Sequence, residues 1–279
     1  MGALALQFVR QVSESASEKS LRCLPMSDSL PWCLVSDIDD TLTGDTEALV
    51  ALLECSGQDR LFRIVLNSSR PLTSVQKTLS GFPSSFVPKD LVTAMGTEVM
   101  LGGEPVEEWQ ERFAGWERGI VDEIVEGLGG VPHGQEFQTA YKASFRVEGE
   151  VLQQHVRDAI AGSGQPSRVI VSGRHDLDVL PIEGGKGQAI LFVAELLGLD
   201  VARQVLVAGD SANDLEMFEI CCRGILVGNA RAELREAVRK ETAYQALGHH
   251  ASGIMEGLRY WGVIPGRERP HEGFYKTGE

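Results

Sequence analysis

The sequence predicts an α/β fold, a parallel sheet with helices on both faces, interrupted by a second and smaller α+β unit. Three observations carry this. Largely apolar runs at Trp32–Val35, Leu61–Leu66 and Gln204–Ala208 are short, are closed by polar clusters and alternate with helical patterning. Such runs read as buried strands of βαβ units. Carboxylates gather at the ends of two of them, in Asp37-Ile38-Asp39-Asp40 and in Gly209-Asp210-Ser211-Ala212-Asn213-Asp214. Between residues 104 and 181 the pattern changes to charged amphipathic helices and alternating strands.

The first 30 residues hold a polar, serine-rich stretch and then Pro25 and Pro31, which read as a lead-in and linker. Met1–Arg10 lacks a cationic n-region and a small-residue cleavage site, so no signal peptide is expected. At the end of the first strand, extended backbone would point Asp37 and Asp39 to one side. One such carboxylate can attack while the other carries a proton. Crowded carboxylates repel unless a cation sits among them, and a hard divalent ion with oxygen ligands suits them. Thr41 offers a hydroxyl to an oxyanion, and Gly44 lets the chain turn away. Read by itself, the stretch is also compatible with an acidic turn or a calcium loop.

Thr46–Cys55 has helical spacing at Leu49, Leu52 and Leu53. The next strand ends in Asn67-Ser68-Ser69-Arg70-Pro71 ahead of a helix over Thr73–Leu79. Hydroxyls and free N–H groups at such a junction bind phosphate, although Asn67 or Ser69 also reads as a helix cap. Asp90–Met100 reads as a strand that turns at Gly96. From Trp109 to Leu128, Trp109, Phe113, Trp116, Ile120, Ile124 and Leu128 fall near helical spacing. The aromatic members read as core of the small unit, with a sugar-stacking platform as the alternative. A strand over Tyr141–Val147, a helix over Val151–Ile160 and a hairpin of Arg168–Ser172 with Asp176–Leu180 complete that unit.

Gly184-Gly185-Lys186-Gly187 starts a helix, Gln188–Leu197, that Gly198 stops. A lysine here reaches a phosphoryl group and a neighbouring carboxylate. It is not a Walker loop, because Gly187 rather than Ser or Thr follows it. After Asp214, Gly224–Ala230 reads as the last strand, followed by a helix over Ala232–Arg239 and an amphipathic close ending at Ile264. Residues 266–279 read as a loose tail.

The net charge is −14 over 279 residues, which removes the basic footprint of nucleic-acid binders. No apolar run approaches a membrane span. Five cysteines without a C-x-x-C pair exclude a disulfide framework and fit a reducing cytosol. The six histidines lack zinc-ligand spacing.

Asp37-x-Asp39-x-Thr41, Ser68, Lys186-Gly187-Gln188 and Gly209-Asp210-x-x-Asn213-Asp214 stand in the order of the haloacid dehalogenase (HAD) motifs. From about Pro31 to Ile264 the chain resembles that superfamily. Within it, Ser172–Pro181, Gly185–Ala189, Val227–Ala230 and Ser252–Arg259 are similar to the sucrose-phosphatase-like group. The superfamily usually has glycine where Ser69 stands. The resemblance implies a HAD-like, Rossmann-type core at 31–103 and 182–265, with a C2B-type cap at 104–181. The cap position follows from spacing, since residues 39 and 68 are too close to hold a domain while 68 to 186 leaves room. It further implies a phosphatase with Asp37 as nucleophile and Asp39 as acid and base. Thr41, Ser68, Ser69 and Lys186 would bind phosphate. Magnesium would be held by Asp37, the Asp39 carbonyl, Asp210 and Asp214. Lys142, Arg174, His175, Asp176 and Asn213 would read a sugar, with an exposed, uninvolved histidine the alternative at His175. Sucrose 6-phosphate, mannosylfructose phosphate and glucosylglycerol phosphate are the implied substrates. A catalytically silent sugar-phosphate-binding module is the alternative, but every charged catalytic position is filled.

Overall fold

The computed structural model describes residues 32–57, 61–82 and 87–266; the lead-in at 1–30 and nearly all of the 266–279 tail lie outside them. The large sheet is built around β1 (Trp32–Ser36), whose run is buried after Trp32. Helix α1 (Thr46–Gly57) leads to β2 (Phe62–Asn67), and α2 (Leu72–Leu79) leads to β3 (Leu91–Thr93). After a short 3-10 turn at Ala94–Gly96, β4 (Glu98–Leu101) and β5 (Glu104–Pro105) turn back antiparallel.

The chain returns to this sheet through α6 (Lys186–Leu197), α7 (Val201–Gln204), β10 (Val205–Gly209), α8 (Leu215–Ile220), β11 (Gly224–Leu226), α9 (Ala232–Ala237), β12 (Ala243–Gln245) and α10 (His250–Tyr260). The strand order is β12-β11-β10-β1-β2-β3-β4-β5, with β12 through β3 parallel. β1 is therefore the point from which successive connections run outward in opposite directions. Right-handed crossovers running opposite ways put their helices on opposite faces. Accordingly α1 packs with α10, and α6 with α8. The crevice at the carboxyl ends of β1 and β10 is where such sheets bind ligands.

Strand β12 was not expected from the sequence. Its three residues are too few for an alternation signal, and pairing with β11 defines them.

The small unit comprises α4 (Arg118–Gly127), β6 (Val131–Pro132), β7 (Ala143–Arg146), α5 (Glu150–Gly162), β8 (Ser167–Ser172) and β9 (Asp176–Pro181). Its sheet runs β6-β7-β9-β8, wholly antiparallel. Ala143, Phe145, Leu177 and Val179 form one buried cluster with Val121 and Val125 of α4 and Val156 and Ile160 of α5. The alternate positions, Ser144 and Asp178, sit opposite each other in register and face away from those helices.

Two expectations for residues 104–128 are corrected. The single long helix is two, α3 (Glu107–Glu111) and α4, because Gly115 takes a positive φ of 95° between them. The aromatic stripe is not core of the small unit. Trp109 stacks on Phe192 of α6 at 4.7 Å, meets Phe113 edge-on at 5.3 Å and donates its indole N–H to the Gly96 carbonyl at 2.9 Å. These two aromatics belong to the large core, as β5 belongs to the large sheet, and only Trp116 packs on the small unit. The large core thus extends about ten residues past position 104.

Trp109 is 1% exposed and anchors the first crossing between the units. Trp109→Ala should lower unfolding free energy by about 3–5 kcal/mol, the range for deleting a buried aromatic. A loss below about 1 kcal/mol in a denaturant titration would place this residue outside the cooperative core.

Candidate active site

Motif residues from three separate segments meet at the carboxyl ends of β1, β2 and β10. Asp37 follows β1, and its N–H still continues the ladder to the Ala208 carbonyl at 3.0 Å. Lys186 opens α6, and its ammonium lies 2.6 Å from Asp37 Oδ1 and 2.6 Å from Asp214 Oδ1. All three side chains are almost completely buried. The lysine backbone is held as well, since Asn67 at the end of β2 donates its amide to the Lys186 carbonyl at 3.0 Å. Asn67 is thus a tie between β2 and α6 rather than a helix cap.

Asp210 completes the cluster. Ligand oxygens of Asp37, Asp210 and Asp214 all lie within 4.8 Å of one another. Burial pushes Asp37 well above the ordinary carboxylate range, Lys186 pulling it down and Asp214 and Asp210 pushing it further up. Burial and then Asp214 raise Asp210 to about 6, against the Thr41 hydrogen bond and the Arg231 charge. Burial pulls Lys186 down, but Asp214 and Asp37 outweigh it and the ammonium is firmly charged. One ammonium thus faces three hard oxygen donors, and the charge deficit fits a divalent cation.

The individual expectations divide. Asp214 is in the cluster, but both its oxygens are engaged: Oδ1 by Lys186, and Oδ2 by the amides of Asp210 at 3.0 Å and Ser211 at 3.1 Å. Among the described residues, Asp37 and Asp210 keep more coordination capacity. Thr41 is buried and gives its hydroxyl to Asp210 Oδ1 at 3.1 Å, which orients that carboxylate. Strand alternation does not place Asp39 relative to Asp37. The strand ends at Ser36, and Asp40 takes a left-handed φ of 59°. Asp39 is accordingly half exposed and paired with Arg70 Nε at 2.7 Å.

Arg70 was missed, although it directly follows the two serines. It is pinned by Ser74 and Thr78 of α2, at 3.3 and 3.0 Å. Its N–H donates to the Ser68 hydroxyl at 3.1 Å, leaving that hydroxyl its own proton to donate. Asn229 and His250 were missed too. Asn229 donates to the Asp40 carbonyl at 2.6 Å and accepts the His250 N–H at 2.9 Å. The His250 ring nitrogen Nδ1 is 2.9 Å from the same carbonyl. This clamp fixes the loop after Asp37, and a Cβ on Gly44 would meet the His250 ring at 2.6 Å.

A cleft of about 420 Å³ lies between these groups and the small sheet. Ser69, Arg70, Asn213 and Arg231 line one side, and His133, Phe137, Lys142, Ser144, Asp176 and Asp178 the other. Lys142 is buried and contacts Asp178 at 3.2 Å and the Phe137 carbonyl at 3.3 Å, while Ser144 donates to Asp178. Asp176 pairs with His133 at 3.0 Å. Arg174 and His175, expected over the substrate, do not line the cleft. Gln153 of α5 caps the Arg174 carbonyl at 2.8 Å, and Glu148 holds the His175 ring at 2.7 Å. The alternation Asp176-x-Asp178 was the available signal for Asp178.

A family model described as sucrose-6F-phosphate phosphohydrolase matches residues 30–262. The chain belongs to that family. It is similar to a mannosylfructose-phosphate phosphatase of Agrobacterium fabrum, at 26% identity over 83% of this chain and 97% of the relative. It is 30% identical to a probable sucrose-phosphatase 1 of Arabidopsis thaliana, over 83% of this chain but 60% of that longer protein. The sucrose-phosphatase structure from Synechocystis sp. PCC6803, solved with sucrose and phosphate, superposes with a TM-score of 0.76 at 28% identity. That match covers 83% of this chain and 98% of the other. The fold is the HAD fold, and this phosphohydrolase builds its site where the fold's sheet reverses direction.

The raised Asp210 carboxyl has a consequence for stability. Its ordinary value is 3.8 and its folded value about 6, so the native state holds a proton that the unfolded chain has released. Metal-free protein should lose stability as pH rises through that window. A cation that binds ionised carboxylates reverses the trend. Replacing chelator by an excess of a divalent cation should raise Tm more at about pH 7.5 than at about pH 5. An equal gain at both pH values would dissociate Asp210 from the cation.

Proposed function

We propose that this chain hydrolyses the phosphate monoester of a sugar phosphate through an aspartyl phosphate, with magnesium as its cation. The carrying observation is the buried Lys186–Asp37–Asp214 bridge, whose Lys186 ammonium also lies 3.3 Å from the Asn213 side-chain oxygen, a residue that lines the polar cleft. Asp37 is the nucleophile: its oxygen bonds to phosphorus as the ester P–O bond breaks. Asp39 gives its proton to the departing alkoxide, then takes one from the water that releases phosphate from Asp37. Arg70 holds Asp39 for this exchange, next to the hydroxyls of Ser68 and Ser69 that receive the phosphoryl oxygens. Lys186 offsets the charge between carboxylate and phosphoryl group. Asp37 and Asp210 would hold magnesium, with Asp214 bracing Lys186 and the motif turn. When bound, magnesium neutralises charge on the transferring group.

The substrate proposed is a disaccharide phosphate, with sucrose 6-phosphate first. The relatives' names support it, and a cleft of about 420 Å³ is in the size range of small-molecule sites. Mannosylfructose phosphate is the second reading, favoured by the Agrobacterium relative. Lys142, Asp176, Asp178 and Asn213 are proposed to contact sugar hydroxyls. The unbridged, buried thiols of Cys33 and Cys221 support a reducing, cytoplasmic setting. Among the described residues no helix is long and apolar enough to cross a membrane.

Phosphate release is to be screened over sucrose 6-phosphate, mannosylfructose phosphate, glucosylglycerol phosphate, trehalose 6-phosphate and hexose phosphates, with and without magnesium. The expected outcome is magnesium-dependent release, fastest with a disaccharide phosphate. Asp37→Asn should remove it while keeping the fold, because an amide is nearly isosteric but a poor nucleophile. Retained activity in that variant would refute the covalent step.

A phosphate pocket reads only what all monoesters share, so discrimination falls to the cap. Lys142→Ala and Asp176→Ala should raise KM for the disaccharide phosphate by roughly tenfold or more while changing p-nitrophenyl phosphate hydrolysis little. Equal losses on both substrates would remove these residues from sugar recognition.

A further inference from the structure

The glycines around Lys186 are not explained by phosphate binding. Gly185 has a φ of +127°, and a Cβ there would lie 2.5 Å from Glu216 Oε2 and 2.6 Å from Arg168 Nη1. A Cβ on Gly187 would lie 2.5 Å from Glu216 Cγ. The helix start is thus bare because an ion pair from two other elements lies on it. Arg168 belongs to cap strand β8, and Glu216 to core helix α8. Arg168 Nη1 donates to Glu216 Oε1 at 2.7 Å. Its Nε and Nη2 both reach the Ile182 carbonyl, at 3.2 and 3.0 Å, in the segment by which the chain leaves the cap. The other Glu216 oxygen accepts the Gly187 N–H at 3.0 Å.

We propose that Arg168 and Glu216 form a latch that registers the cap against the start of α6 and so couples cap position to the Lys186 ammonium. Glu216 and Asp214 lie two residues apart on one turn, and each holds one side of Lys186. Asp214 takes the ammonium and Glu216 the following N–H. Arg168 extends this brace into the cap. Its three hydrogen bonds tie the cap sheet to Glu216 of the core and to Ile182 in the segment leaving the cap, so a shift of the cap strains the helix start. Both are positioning residues, since neither lines the cleft. A guanidinium fork suits the task because it contacts a carboxylate and a carbonyl in one plane.

The latch rests on Lys186 as the phosphoryl-binding lysine, and its test separates the two ideas. Glu216→Gln keeps an acceptor for Gly187 but loses the charge, and Arg168→Ala loses only the cap side. Each should lower kcat/KM for the preferred sugar phosphate about tenfold, changing kcat and KM together, with p-nitrophenyl phosphate changed less than about twofold. The double variant should be no worse than either single one, because both remove the same contact. Arg168→Lys should recover part of the loss. Glu216→Ala, which also frees the Gly187 N–H, should slow p-nitrophenyl phosphate as well. Small-angle scattering should report a larger radius for Arg168→Ala, a readout independent of turnover. Additive losses, or an unchanged radius with unchanged kinetics, would overturn the latch. A parent chain inactive on every sugar phosphate would instead overturn the phosphatase reading, leaving the scattering result to decide the latch.

Discussion

A buried ammonium shared by two buried carboxylates organises this molecule. Lys186, Asp37 and Asp214 come from three segments that are distant in sequence; Lys186 and Asp214 are fully buried and Asp37 nearly so. A charge buried without a partner is so unfavourable that breaking such a pair from one side costs about 3–5 kcal/mol. The fold must therefore deliver all three groups together. Asn67 then holds the Lys186 carbonyl, the amides of Asp210 and Ser211 take the second Asp214 oxygen, and Thr41 orients the neighbouring Asp210. The result is preorganised: little has to reorient when charge develops on a phosphoryl group.

The same bridge leaves the site short of positive charge. One lysine serves three clustered carboxylates, and burial holds Asp37 and Asp210 above their ordinary range. A chain with a net charge of −14 supplies no long-range compensation, so any compensation has to be local. Asp39 escapes this constraint. It is outside the buried cluster, half exposed and beside Arg70, a setting that supports the proton-exchanging role proposed for it.

The two halves of the cleft answer different questions. The core side, lined by Ser69, Arg70, Asn213 and Arg231, adjoins the Asp37–Lys186 bridge to which the proposed phosphoryl chemistry is assigned. The cap side alternates polar and apolar positions along β7 and β9, so one face fills the small core and the other supplies hydrogen-bonding groups. Lys142 is the exception in being buried and charged, and Asp178 with Ser144 explains why it is tolerated there. Arg168 and Glu216 join the two halves at their second crossing, while Trp109 and Phe113 join the first to the large core.

Much of this was legible in the residues. Short apolar runs ending in carboxylates, a serine after β2 and a lysine among glycines identify the sheet, the crevice and the core groups, because strand ends put consecutive polar residues in one place. Spacing alone located the inserted unit between Ser68 and Lys186. What the chain order could not carry were the pairings. That Thr41 serves Asp210, that Arg70 takes Asp39 and that Asn229 with His250 clamps the loop after Asp37 depend on distances between segments, which no local pattern encodes. His175 and Asp178 stand three residues apart in one hairpin, yet only Asp178 lines the cleft, because His175 lies in the turn before β9, where Glu148 holds it, while pairing with β7 sets Asp178 opposite Ser144. The side of the boundary on which Trp109 falls, and Phe113 with it, was likewise set by Phe192, a partner more than eighty residues from Trp109 that only the folded chain brings within stacking distance.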